Sequence, residues 1–380
     1  MKSLDIDLVT ETYPPEHGGA PRALHRFVEL LRGREHQVTV VRPRQRHEAV
    51  ASARATDFLV RSVAFPFDRT LRMGLPEVLR LTTRWQKKRP DLVHVATQGP
   101  LGAAAMFVAR RLQLPISTSF HTNFHQFAAH YGVTVLVPAI VAYLRGFHNR
   151  AAVTLVPSER ARKKLSELGF ERLRVVGRGV DRGRFHPRRR SAGLRRSLGV
   201  GDDDLLLLCV GRLAPEKNIE LAIESARAVN RVTSARLVFV GDGPLRAGLE
   251  RAHAGVRFVG HKDGDDLARH YASADMFVFP SRTETFGNVV LEAMASGLPV
   301  VAFDDAAAAE CIRSGFDGMT APLDAPERFV EAAARVAADV CLRSALGSRA
   351  RATSGAFTWD VVGDALAREL GNALHTWETA

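Results

Sequence analysis

The chain has 380 residues, about twice the ~150-residue prior for one domain, so two domains with separate cores are expected and a single small module is excluded. With 46% hydrophobic and 25% charged residues and a mean hydropathy of −0.08, it has the balance of a packed protein, not a disordered one. The net charge of +12 is unevenly held: residues 1–200 carry 35 basic and 15 acidic side chains, a balance of +20, and residues 201–380 carry 18 and 26, a balance of −8.

In chain order, short β-branched runs alternate with helical patterns as far as residue 303, the pattern of parallel sheets covered by helices on both faces. In the first half, strands are predicted at 4–10, 37–42, 92–96, 116–120, 153–156 and 173–176, and helices near 21–31, 75–88, 101–111 and 159–168. Residues 178–199 are rich in Gly, Arg and Pro without apolar periodicity and read as a linker, with the boundary near residue 187. The second half restarts with strands at 205–210, 236–240, 256–259, 276–279 and 300–303 and helices near 219–230, 245–251, 265–271 and 289–295. The expected fold class is α/β, with doubly wound Rossmann-like domains over 1–187 and 188–356. A C-terminal helix over about 357–380 is available to pack back on the first. Open α/β sheets bind ligands beyond the carboxyl ends of their strands, so the expected site is a cleft where both sets of ends face each other.

The strand-to-helix turns hold the candidate chemistry. After the first strand, Gly18 and Gly19 precede Pro21 at a helix start, where glycine permits close backbone approach and free N–H groups attract phosphate. This is equally the composition of a structural loop, and it does not satisfy G-x-G-x-x-G. In LLLLCVGRLAPEKNIE, Arg212 and Lys217 leave a buried strand five positions apart; a guanidinium and an ammonium there suit a diphosphate and could stand in place of a metal. In FPSRTETFGNVVLEAMASGLPVV, Glu284 and Glu292 flank the start of an apolar helix near Asn288. The first N–H groups of that helix can bind phosphate oxygens, Glu292 one turn on can accept ribose hydroxyls, and Glu284 can accept sugar hydroxyls. The alternative is a capped helix with two surface glutamates.

The set VGRLAPEKN, FVGDGP, FVGHKDGDDLARHYASADMFVFPS, the two spaced glutamates and ASGLPVVA resembles the retaining nucleotide-sugar glycosyltransferases of family four, of GT-B fold. TETYPPEHGG, DLVHVATQGPLG, SFHTNF and VPSERARKKL extend the resemblance over the first half. It implies that Gly18 and Gly19 lie against the donor diphosphate or sugar and that His121 approaches the transferred sugar. Arg212 and Lys217 would bind the diphosphate, and Glu284 the hexose hydroxyls. The backbone at Asn288 and Val289 would meet phosphate, Glu292 would hold the ribose, and Gly260, His261 and Lys262 would border the base. The nearest resemblance is to GDP-mannose-dependent α-mannosyltransferases and enzymes that glycosylate lipids. Two departures stand out: PPEHGGAPR replaces a valine-asparagine-glycine sequence, and AFDDAAAAE has alanines where the wider family often has two glycines before a glutamate.

The resemblance therefore implies a hexosyltransferase with no cofactor and no divalent metal. Its donor would be a nucleoside-diphosphate sugar, its acceptor a lipid or glycan hydroxyl. UDP-sugar transfer, epimerisation of a sugar nucleotide and a non-catalytic nucleotide-sugar or membrane-surface binding protein are the alternatives. The basic first half fits an anionic membrane surface, or simply a solvated Arg-rich face. Nucleic acid is not an expected partner, because aromatics are 7% and neither an RNP pattern nor a zinc finger occurs. Residues 133–148 form an apolar segment ending near Arg145, His148 and Arg150, long enough for a headgroup layer and equally suited to burial as a helix. No apolar run reaches the ~18 residues of a membrane span, and LDIDLVT at the start is strand-like, so the expected location is cytoplasmic, at most peripheral on a membrane.

The remaining features read as structural. Asp202, Asp203 and Asp204 form a solvated turn, not a metal-binding D-x-D site. His121 and His125 have i,i+4 spacing but lack the intervening glutamate of a zinc protease site, and His130 adds nothing to them. Arg188–Arg190 reads as a wet linker face, and Cys209 as a small core residue. Cys209, Cys311 and Cys341 are odd in number and widely spaced, which fits a reduced compartment.

Overall fold

The computed structural model describes residues 3–14, 19–45, 48, 56–65, 68–121 and 137–378. The chain divides into two compact units, Met1–Gly177 with Val362–Ala380, and Arg178–Val361.

The first unit is built on β1 (Asp5–Val9), β2 (Gln37–Pro43), β3 (Asp57–Val60), the hairpin of β4 (Ser62–Phe65) and β5 (Asp68–Gly74), then β6 (Leu92–Val95), β7 (Ile116–Ser119), β8 (Val153–Val156) and β9 (Leu173–Val175). Seven strands form a parallel sheet in the order β3-β2-β1-β6-β7-β8-β9. Helices cover both faces, and β6 to β8 are buried along their whole length, which explains why they read as short continuous runs. Val9, Val41, Trp85, Val93, Leu101 and Ile116 belong to the main core of this unit.

The aspartate buried in this core is paired. Asp7 on β1 accepts from Trp85 Nε1 at 2.7 Å and from Arg84 Nε at 2.8 Å, both on the helix Val78–Lys87. Arg84 in turn lies 5.0 Å over the Phe58 ring. Strand β3 and the hairpin go beyond the predicted strands: their residues include Asp57, Ser62, Asp68 and Arg72, whose polarity masks a strand pattern.

The second unit repeats the topology with β10 (Leu205–Val210), β11 (Ala235–Val240), β12 (Arg257–Phe258), β13 (Met276–Phe279), β14 (Val300–Phe303) and β15 (Met319–Ala321), ordered β12-β11-β10-β13-β14-β15. All six residues of β10 are buried, as expected of a strand packed on both faces. In each sheet the order reverses beside the first strand, between β1 and β6 and between β10 and β13, and the crevice at the carboxyl ends of such a pair is the usual ligand position of doubly wound folds.

The division falls at Gly177 and Arg178, ten residues before the boundary expected near 187. The expected linker is folded into the second unit. Val180 N–H donates to Phe357 O at 2.9 Å, and the Phe185 ring meets Tyr271 edge-on at 5.6 Å. Arg190 and Arg195 both hold Asp275, at 2.7 and 2.6 Å, and Arg190 is exposed, so it stands on a solvated face as expected while being tied to the second unit. Arginines that neutralise a buried-edge aspartate leave no apolar period to read, which is why the segment has the pattern of a linker. Among the described residues no helix is long and apolar enough to cross a membrane.

Replacing Asp7 by Ala leaves Arg84 and Trp85 Nε1 without their acceptor and should destabilise the first unit by about 3–5 kcal/mol, the scale for breaking one side of a buried pair. Asp7→Asn keeps an oxygen for Trp85 and should cost less. Urea denaturation followed by Trp fluorescence measures both.

Candidate active site

In the second unit, two loops flank the crevice between β10 and β13. The first leaves β10 through Gly211, exposes Arg212, buries Leu213 and closes in the 3-10 turn Pro215–Lys217 before the helix Ile219–Val229. The second leaves β13 through Ser281 and ends at Gly287, whose φ of +91° turns the chain into the helix Asn288–Ala295. Glycine is the residue that takes this left-handed conformation without strain. The two loops are tied by Arg282 N–H donating to Glu216 O at 3.0 Å.

Across that tie Lys217 Nζ forms an ion pair with Glu284 Oε1, and its ammonium lies 6.0 Å over the Phe279 ring. The two side chains are 18% and 17% exposed, so the pair is only partly screened by water. Arg212 is exposed and makes no side-chain hydrogen bond or ion pair with the described residues. The two cations expected to act alike therefore differ: Lys217 is already engaged by a carboxylate.

The helix starts at Asn288, with Val289 half-buried in its first turn, and its N-cap residue is Gly287, which has no side chain to cap it. Asn288 Oδ1 is buried without a hydrogen-bond partner, an unmet polar atom at the mouth of the crevice that a ligand hydroxyl would satisfy. One turn on, half-buried Glu292 accepts from Tyr271 OH at 3.0 Å. Glu284 also lines a cavity with Phe279, Ser281, Phe286, Asp305 and Ala306. Ala306 takes φ +47°, so the backbone of the AFDDAAAAE segment keeps a glycine-like conformation although the residue is alanine. Ser281 and Asp305 are absent from the residues expected at the site, although Asp305 stands in the segment that departs from the family pattern.

Gly260 stands apart from these loops, at the end of β12, where its carbonyl accepts from Gly241 N–H at 2.9 Å. His261 beside it is exposed, and Lys262 pairs with Asp266 at 3.2 Å. The aspartate run behaves as a turn: Asp204 accepts from Gly201 N–H at 2.9 Å and from the Ser234 hydroxyl. Cys209 is a buried core thiol pushed up to about 12 by burial.

In the first unit, His121 follows β7 and is buried, with Nε2 against Ser119 Oγ at 2.6 Å. Ser119 also meets His94 Nε2 at 3.0 Å, and His94 Nδ1 meets Ser117 Oγ at 2.8 Å. His94, Ser117 and Ser119 are not among the expected site residues; the available signal is the strand period, which puts residues 117 and 119 on one face. Gly19 opens the helix Gly19–Arg32, and among the described residues a Cβ there would meet no atom within 4 Å. Gly18, His125, His130 and residues 133–136 of the apolar segment lie outside the described residues. His148 is not a headgroup-facing end of that segment. It is buried, donating to or accepting from Thr118 Oγ1 at 2.9 Å through Nδ1, and packed on Phe120 and Phe147.

Comparison with known proteins decides the family. The family described as Glycosyltransferase Family 4 matches residues 17–184, and that described as Glycosyl transferases group 1 matches residues 204–339. A GDP-mannose-dependent alpha-mannosyltransferase of Mycobacterium tuberculosis is 34% identical over 375 residues, covering 96% of each chain. The chain belongs to glycosyltransferase family 4. The sulfoquinovosyl transferase of Arabidopsis thaliana is 33% identical over 352 residues, 90% of this chain and 68% of that protein. Among solved structures, sucrose-phosphate synthase from Thermosynechococcus elongatus superposes with a TM-score of 0.78 at 21% identity, over 97% of this chain and 99% of that one. The fold of this family 4 glycosyltransferase is accordingly GT-B, with two parallel-sheet α/β units.

Burial pushes the His94 imidazole down to about 4 and that of His148 to about 3, from 6.5 in an unfolded chain. Both are neutral when folded and take up a proton on unfolding below pH 6.5. Stability of the first unit is therefore full above about pH 6.5 and is lost as pH falls, by about 2 kcal/mol per histidine between pH 6.5 and 5. Denaturation midpoints at pH 7.5 and 5 measure the loss, and His148→Phe should make the slope shallower.

Proposed function

We propose that this glycosyltransferase moves a hexose from a nucleoside-diphosphate sugar to a hydroxyl acceptor with retention of anomeric configuration and without a divalent metal. The preferred donor is GDP-mannose, and the preferred acceptor a membrane lipid or lipid-linked glycan. The carrying observation is the convergence, at one switch point, of exposed Arg212, the Lys217–Glu284 pair and the glycine-led N-terminus of the helix Asn288–Ala295. The alpha-mannosyltransferase name of the relative matched over 96% of its length supports the donor. An alpha-monoglucosyldiacylglycerol synthase of Streptococcus pneumoniae, 29% identical over 78% of this chain and 70% of its own, supports a lipid acceptor.

The chemistry follows from charge. The barrier is departure of an anionic diphosphate from an oxocarbenium-like sugar. Arg212, Lys217 and the N–H groups at Asn288 and Val289 are fixed positive poles for that leaving group. Glu284 accepts hexose hydroxyls, Glu292 accepts ribose hydroxyls, and Gly260, His261 and Lys262 border the base. Gly19 borders the donor, and His121 orients the transferred sugar. Retention follows if the acceptor arrives on the leaving-group face and a phosphate oxygen takes its proton.

Lys217→Ala and Glu284→Gln should each lower turnover at least ~100-fold, the scale for losing one preorganised charge contact, while EDTA leaves turnover intact. Loss of turnover in EDTA with rescue by magnesium would overturn the metal-free mechanism. Calorimetry with GDP-mannose, UDP-glucose, UDP-glucuronate and UDP-N-acetylglucosamine identifies the donor. Binding with neither transfer nor donor hydrolysis would favour a non-catalytic binding protein.

A surface feature of the first unit supports a membrane-borne acceptor. Between the helices Pro100–Arg111 and Val137–His148 lies a groove of about 540 Å³ where Phe107 and Tyr143, 56% and 48% exposed, stand beside Arg110, Arg111 and Arg150. Apolar rings ringed by guanidinium groups suit an anionic bilayer surface. Co-sedimentation with vesicles of phosphatidylglycerol should exceed that with phosphatidylcholine, and Arg110→Glu with Arg111→Glu should abolish the difference at low salt. Equal binding to both vesicles would end this reading of the groove.

A further inference from the structure

The second unit carries a cluster of cations away from its crevice. Arg351 donates through Nη1 to the carbonyl of Ala295, the last residue of the helix Asn288–Ala295, and to Phe185 O at 3.3 Å. Arg182 Nη2 donates to Arg351 O at 3.1 Å. His186, next after Phe185, accepts the Arg188 N–H through Nδ1 at 3.1 Å. All of these residues belong to the second unit. An eight-residue helix is about 12 Å long, so that length of helix separates Arg351 at its carboxyl end from Asn288 at the candidate donor site.

Carbonyl oxygens hold these groups, and they fix a cation without neutralising it. Among the described residues Arg182, Arg188 and Arg351 make no ion pair. Arg188 is exposed with no hydrogen-bond partner for its side chain, and Arg182 Nε is buried without an acceptor. Close by, Arg184 and Arg189 share the carboxylate of Asp265, at 3.9 and 3.2 Å, and Asp181 Oδ1 accepts from the N–H groups of Gly183 and Arg184 at 3.0 and 2.9 Å. Five guanidinium groups thus stand against the carboxylates of Asp181 and Asp265. The crowding is felt at His186, whose imidazole is held below 6.5 by burial and then by Arg351, Arg188, Arg182 and Arg189. A backbone N–H can only donate, so neutral His186 accepts at Nδ1 and carries its hydrogen on Nε2.

We propose that Arg182, His186, Arg188 and Arg351 form a second anion site, separate from the donor crevice, for a soluble ligand of the pyrophosphate class. Guanidinium groups bind phosphate oxygens two at a time and give up little hydration in doing so. A single phosphate group carries at most about two charges at neutral pH, so three guanidinium groups without carboxylates suit a diphosphate. A membrane surface fits less well: among the described residues no exposed large apolar side chain stands on 182–189 or 351–355, so nothing beside the cations would enter a bilayer.

Calorimetric titration with inorganic pyrophosphate at low salt, on the full chain carrying Arg212→Ala and Lys217→Ala to disable the crevice, should show one saturable site. Adding Arg188→Glu should weaken it at least about 10-fold, the scale of one hydrogen bond to a charged group. Arg188 is exposed and unpaired, so reversing its charge leaves the fold intact, which thermal melts check. In protein labelled with ¹⁵N-histidine, pyrophosphate should raise the pH at which His186 takes up its proton, because the anion offsets the guanidinium charge; His186→Asn assigns the signal. Sodium chloride of equal ionic strength should move it less, and Arg188→Glu should raise it with no ligand present. Absence of a saturable site once the crevice is disabled, or a site that Arg188→Glu leaves unchanged, overturns the proposal. So does binding to phosphatidic acid vesicles without binding to pyrophosphate, which would make the cluster a membrane contact. The reading of the crevice as the donor site survives any of these results.

Discussion

An alanine Cβ at Gly241 would lie 1.8 Å from the carbonyl oxygen of Gly211, and one at Gly243 would lie 2.4 Å from that of Leu213. No side chain fits into either gap, so the ends of β10 and β11 close on each other through bare backbone. Leu213 N–H then donates to Asp242 O at 2.9 Å, and Leu245 N–H to Leu213 O at 3.1 Å. This closure fixes where the first loop departs. Leu213 is drawn into the core, Arg212 is turned outward, and the 3-10 turn that follows sets Lys217 opposite Glu284. The charged pair is thus a consequence of a steric constraint at the neighbouring strand end, and a change at Gly241 would disturb it without touching either charge.

The first unit uses the same strand order with a different set of buried polar groups. Its core holds Asp7 against Arg84 and Trp85, and the rows from Ser117 to His121 and from His148 through Thr118 to Thr154. Imidazoles pushed far below their ordinary range behave as neutral hydrogen-bonding groups, and each nitrogen that meets a hydroxyl costs little to bury. Three of the four side chains in the Ser117 to His121 row come from β7 and the residues just after it, so strand alternation, not loop flexibility, sets the position of His121.

Sequence pattern is enough for the strands buried on both faces. Residues 153–156, 205–210, 276–279 and 300–303 have the bounds expected of them, because continuous, mostly apolar runs of that length are too short for a helix and fit a strand covered on both sides. Short or polar strands escape, as β15 does with the three residues Met319–Ala321. The helix Val340–Thr353 escapes because its Arg and Ser residues break any apolar stripe. At the site, motif spacing places Arg212, Lys217, Glu284 and Asn288 at one switch point, since loops after neighbouring strands converge whatever their length. It cannot foresee that Lys217 is engaged by Glu284, nor that Ala306 adopts a left-handed conformation, because both depend on side-chain packing between loops distant in sequence.

The two units differ most at equivalent helix starts. The helix after β6, Pro100–Arg111, has its first N–H groups addressed from within: Glu11 accepts from Leu101 N–H and from Gly74 N–H, both at 2.9 Å, and a Cβ at Gly99 would lie 2.3 Å from Glu11 Oε1. A carboxylate is already seated at the positive end of that helix. The helix after β13, Asn288–Ala295, occupies the same place in its sheet order, and among the described residues no carboxylate is seen accepting from its first N–H groups: Gly287 precedes it, and the Asn288 amide oxygen lacks a partner. An anion approaching the first unit at this position would have to displace Glu11, against both charge repulsion and two lost hydrogen bonds. In the second unit the same approach meets N–H groups that no carboxylate among the described residues occupies. The two units therefore differ in charge at equivalent helix starts, a carboxylate being seated in the first and none accepting from the first N–H groups among the described residues of the second.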